Sequence, residues 1–75
     1  MPEEALTAEQ IQAHYDAALD SVTLINDLMA LSSRDDEQTA TVARNVEHLQ
    51  IMVAKDYWTS QDMAPLNAAI TAGQS

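Results

Sequence analysis

From residue 11 to residue 29, Ile11, Tyr15, Ala18, Val22, Ile25 and Met29 recur at alternating steps of four and three. A repeat of about 3.5 residues is the mark of an α-helix packed lengthwise on another helix, and no strand can use it. Leu24, Leu28 and Leu31 widen the apolar stripe toward its C-terminal end. Thr7-Ala8-Glu9-Gln10 fits a capping box at the start, with the Thr hydroxyl and the Gln amide each answering a backbone group of the other. The pattern predicts a helix over about residues 8–32, roughly 37 Å long at 1.5 Å per residue.

A second periodic stretch follows. Between Gln38 and Trp58, Val42, Val46, Leu49 and Val53 form one seam, while Ile51 and Met52 fall off it. Apolar side chains in more than one direction mean that this helix, expected over about 35–57, touches more than one neighbour. The polar block Ser32–Thr39 between the two patterns reads as a turn. Ser33 is the expected N-cap, and Asp35, Asp36 and Glu37 lie where the helix dipole favours acids. No Gly or Pro interrupts this block, so a single helix from 8 to 57 is the alternative. It would turn Thr39, Ala43, Val46, Gln50 and Val53 inward, a poorer set, and two helices are favoured.

A third, short helix is expected over about 60–72. Thr59 could cap it, with Trp58 stapled to Met63. Otherwise it starts later, with Asp62 as cap and Pro65 in the tolerant first turn. Met63, Leu66 and Ile70 supply its stripe, and Gly73 its stop. The expected fold is therefore one all-α domain, an antiparallel helical hairpin of two long helices plus a short C-terminal helix.

Composition narrows function mostly by exclusion. The 75-residue chain has no Cys, hence neither disulfide nor thiolate metal site, and its one Gly excludes a phosphate-cradling loop. Its formal charge is −9, and residues 1–33 carry Glu3, Glu4, Glu9, Asp16, Asp20 and Asp27 with no Lys or Arg. Such a surface opposes nucleic acid and anionic lipid, whose phosphates need cations. No apolar leader is visible in MPEEALTAEQ, and the longest apolar run, Leu28–Leu31, cannot span a bilayer. A soluble protein is expected.

His14 and His48 have no Glu-x-x-His partner of the kind that carboxylate-bridged metal bundles use, so no metal and no cofactor are expected. The serines lack a nucleophile-elbow context, and no enzyme is expected. What remains is apolar surface. Tyr57 and Trp58 carry interface chemistry, although Trp58 could instead close the small core against Met63 and Leu66. Leu19, Leu24, Leu31, Ile51 and Met52 exceed what one shared face accommodates. Tyr57, Trp58, Ile51, Leu24 and Leu31 are the candidate partner-binding residues. Arg44, His48 and Lys55 share roughly one stripe of the second helix, around Ile51. They could balance surface charge or meet an acidic face on another copy or another protein.

The run Arg44–Thr59, RNVEHLQIMVAKDYWT, continuing through Pro65-Leu66-Asn67-Ala68-Ala69-Ile70, resembles small helical proteins encoded in tailed-bacteriophage genomes. The resemblance covers the second half of the chain and carries no functional residue with it. It implies a virion component or small accessory protein, found in the virion or the host cytoplasm. Two functions follow as expectations. One is a structural subunit docking through apolar helix faces onto itself or a larger virion protein. The other, motivated by charge, is an acidic inhibitor that imitates DNA in a host enzyme's channel.

Overall fold

The computed structural model describes residues 6–74. Glu3 and Glu4, counted in the charge of residues 1–33, lie outside that range. Among the described residues the chain is helical throughout its regular structure, as α1 (Ala8–Met29), α2 (Asp36–Val53) and α3 (Ala64–Gly73). Each helix packs against the other two.

The start of α1 is the reciprocal cap that its sequence spells. The Thr7 N–H donates to Gln10 Oε1 at 2.9 Å, and the Gln10 N–H donates to Thr7 Oγ1 at 3.1 Å. The helix ends at Met29, three residues short of the expected limit. Its terminal carbonyls find a cation instead of a glycine turn. The Arg34 guanidinium donates to the Leu28 and Leu31 carbonyl oxygens at 3.2 and 3.3 Å, bringing a positive charge to the negative end of the dipole.

The cap of α2 is Asp35, not Ser33. The Gln38 N–H donates to Asp35 Oδ1 at 2.7 Å, and the Asp35 N–H donates to Gln38 Oε1 at 3.0 Å. A cap at Ser33 would put Asp36 in the reciprocal position, where the shorter side chain reaches back less well than a Gln or Glu. The C-terminus of α2 is Val53, four residues before the expected end. Continuing the helix at 100° per residue would aim Trp58 about 180° away from buried Leu49, into solvent. Breaking it lets the indole turn back, and Trp58 Nε1 donates to the Met52 carbonyl at 2.8 Å.

Further corrections concern α3. It starts at Ala64, so Pro65 occupies the tolerant first turn, as the later-start alternative required. Thr59 does not cap it; its N–H donates locally to Gln61 Oε1. The Asp62 carboxylate accepts the Ala64 N–H at 2.9 Å although the cap position itself is Met63. Gly73 is not a left-handed stop, because no described residue has positive φ and the helix includes it. Its value is closeness: a β-carbon at Gly73 would collide with the Val46 side chain and press on Val42 and Ile25.

One core joins the three helices. Ala18, Val22 and Ile25 of α1 meet Val42, Val46, Leu49 and Met52 of α2 and Leu66 and Ala69 of α3. The α1 seam is as the spacing predicts, with Ile11, Ala18, Val22 and Ile25 buried and Tyr15 and Met29 half-buried. The α2 seam is wider than predicted. Met52, read as off the seam, is buried, and Val53 is only half-buried. The reason is that α3 packs on α2 beside α1, so the buried arc spans two neighbours. No buried side-chain nitrogen or oxygen among the described residues lacks a partner.

Candidate functional site

The five candidate partner-binding residues separate into two groups. Tyr57 and Trp58 belong to an aromatic knot that ties the segment after α2 to the N-terminal half of α1. The Trp58 ring meets Tyr15 edge-on at 6.0 Å between centroids and Tyr57 at 4.8 Å, and the Tyr57 ring lies 5.7 Å from that of His14. Tyr15 Oη donates to the Asp62 carbonyl at 2.7 Å, and Gln61 Nε2 donates to Gln12 Oε1 at 3.4 Å. Both Tyr57 and Trp58 are half-buried, and Trp58 packs on the core beside Met63. The half-buried indole therefore packs against the core and closes it.

Leu24, Leu31 and Ile51 have no such duty. They are the large apolar side chains that remain exposed, at 39, 42 and 53 %. Of the other surplus residues, Leu19 and Met52 are taken up by the core or its margin. On α1, Leu24 shares the outward face with Asp16, Asp20 and Asp27, all exposed and all at steps of three or four. Leu31 follows one residue past the Ala30 cap, whose right-handed φ and ψ continue the turn.

The outward face of α2 has the opposite polarity. Arg44, His48, Ile51 and Lys55 run along it at steps of four, three and four, and all four are exposed. Lys55 lies one residue past the Ala54 cap, which is likewise right-handed. Arg44 Nη2 donates to Thr41 Oγ1 within the same helix at 3.2 Å. An apolar side chain thus sits at the centre of a cationic stripe on α2 and within an acidic stripe on α1.

Among the described residues no group of His, Asp and Glu side chains could hold a metal ion. None of their helices is long and apolar enough to cross a membrane. Asp16, Asp20 and Asp27 are legible in the sequence as lying outside the seam of the first helix. What sequence reasoning missed is that Leu24 and Leu31 fall at the same helical steps as these aspartates. No family model, curated protein or solved structure matches this chain.

Proposed function

We propose that the chain is a non-enzymatic structural or accessory subunit of a bacteriophage particle, docking through apolar helix faces onto itself or a larger virion protein. The carrying observation is that Leu24, Leu31 and Ile51 stay exposed although the three helices already share a closed core without them. Scattered exposed apolar residues are common on any protein; what supports docking here is that these three lie in line with ordered charged residues on the outward faces. The likeness of its second half to phage-encoded helical proteins supplies the setting, in the virion or the host cytoplasm. Partners are proteins, with neither nucleic acid nor membrane among them.

The antiparallel course of α1 and α2 is part of this reading. It is supported by the short connection between them and by two sets of neighbours. Tyr15 in the N-terminal half of α1 meets Trp58 beyond the end of α2, while Ile25 and Val42 both flank Gly73.

The competing reading is the acidic mimic of DNA, favoured by Asp16, Asp20 and Asp27 on one exposed face of α1. Salt separates the two. A mimic replacing several phosphate contacts should lose about 10³-fold or more in affinity between about 50 and 200 mM salt. An apolar dock should keep its affinity within about 10-fold across that range, because exposed ion pairs contribute little to it. Ile51→Ser should weaken docking more than Asp20→Ser; equal effects would remove the apolar faces from the account.

A further inference from the structure

We infer that the docking partner is a second copy of this chain, its acidic α1 stripe lying antiparallel along the cationic α2 stripe. This rests on the docking reading above and names its occupant. The first support is where the few cations go. The chain has three Lys and Arg residues in all. Arg34 is taken up by the carbonyl oxygens at the end of α1. The other two, Arg44 and Lys55, fall on one outward stripe of α2 with His48 and Ile51 between them. In a chain with 12 acidic residues, such a concentration on one face is a poor use of cations for general charge balance.

The second support is register. Along α1 and one residue past its cap, Asp20, Leu24, Asp27 and Leu31 are separated by four, three and four residues; along α2 and one residue past its cap, Arg44, His48, Ile51 and Lys55 are separated by the same steps. Laid antiparallel, the stripes set Asp20 beside Lys55, Leu24 against Ile51 and Asp27 beside His48. Leu31 then lies along the aliphatic stem of Arg44. Laid parallel, they would set Leu24 on His48 and Asp27 on Ile51, burying a carboxylate against an apolar side chain. Of these two alignments the antiparallel one matches both polarity and apolarity residue for residue, and charge of this kind fixes orientation more than it adds affinity.

The net charge of −9 on each copy repels the other. At about 0.15 M ionic strength charges more than about 8 Å apart are largely screened, so the facing pairs decide. Glu47 lies exposed at the edge of the α2 stripe, where it adds an unfavourable charge toward the partner's aspartates. Because the two stripes differ, each contact leaves one stripe of each kind unused. A pairing that uses one stripe of each copy runs head-to-tail and closes into a ring or continues as a filament. A contact centred on two or three apolar side chains lies at the small end of protein interfaces, and its dissociation constant is expected at about 10 µM to 1 mM.

The test is complementation between two crippled full-length chains. One carries Asp20→Lys with Leu24→Lys and so lacks the α1 stripe. The other carries Ile51→Asp with Lys55→Glu and lacks the α2 stripe. Each alone should remain at the 8.2 kDa chain mass where the unaltered chain associates. Mixed, they retain one good stripe of each kind and should form a dimer of twice that mass that grows no further. Glu47→Gln should tighten association of the unaltered chain by a few-fold. Circular dichroism checks that the variants keep their helices, and Leu24→Ser with Ile51→Ser repeats the test more gently. A mixture that stays monomeric, or single variants that associate like the parent, would overturn the inference. An unaltered chain that is monomeric throughout would also overturn it, while leaving docking onto a larger protein to the salt experiment.

Discussion

The two connections of this small bundle are ordered by different physics. Between α1 and α2, Arg34 answers the α1 carbonyls and the Asp35–Gln38 box starts the next helix, all within a few residues of chain. Between α2 and α3, order comes from afar. Trp58 and Tyr15 stack edge-on across more than forty residues of sequence, and Tyr15 donates to the Asp62 carbonyl. The first connection is held by backbone capping and can be altered one bond at a time. The second is held by aromatic rings that also close the core, so damage there spreads to all three helices.

The largest effect should follow Trp58→Ala. The half-buried ring is anchored on the core and donates to the Met52 carbonyl. Its loss should cost about 2–3 kcal/mol, somewhat below the range for fully buried aromatics. Denaturant unfolding followed by circular dichroism checks this, and a cost below that of any cap variant would break the contrast between the connections. Next comes Asp35→Ala, expected to cost about 1 kcal/mol as an ordinary N-cap loss. Its effect should be confined to the start of α2, where hydrogen exchange at Gln38 and Thr39 should accelerate while α3 is unchanged. The smallest is Tyr15→Phe, which keeps the ring against Trp58 but deletes the bond to Asp62. About 0.5–1 kcal/mol is expected, read by the same unfolding curves. A larger loss than for Trp58→Ala would place the second connection's strength in that hydrogen bond rather than in the rings.

The same contrast explains how far the sequence could be read. Helix number, the α1 seam and the Thr7–Gln10 box follow from local spacing, because each depends on residues three or four apart. The end of α2 does not. Nothing local stops a helix at Val53; it stops because Trp58 would otherwise face solvent, which depends on where α1 and α3 lie. Met52 was misjudged for the same reason, since a seam drawn for one neighbour omits the flank that a second neighbour covers. Gly73 carried a signal that was read as a stop and proved to be a close approach to Val46.

Of the candidate partner-binding residues, the sequence did not separate Tyr57 and Trp58 from Leu24, Leu31 and Ile51. An aromatic pair beside a polar segment looks alike whether it caps a core or meets a partner. Exposure distinguishes them, and exposure is a property of the packed bundle. The matching four-three-four spacing of the two outward stripes, by contrast, was present in the sequence from the start. It acquired meaning once Met52 and Leu19 were accounted for by the core and its margin and Ile51 and Leu24 were not.

Pairing of two copies as proposed places association in the outward stripes of a chain that is already folded alone. Sedimentation equilibrium of the unaltered chain from about 10 µM to about 1 mM spans the affinity expected of so small an interface. The account predicts a mass that rises from 8.2 kDa with concentration while the helical signal stays constant. A mass fixed at that of one chain over the whole range, or helical signal that appears only as the mass rises, would contradict it.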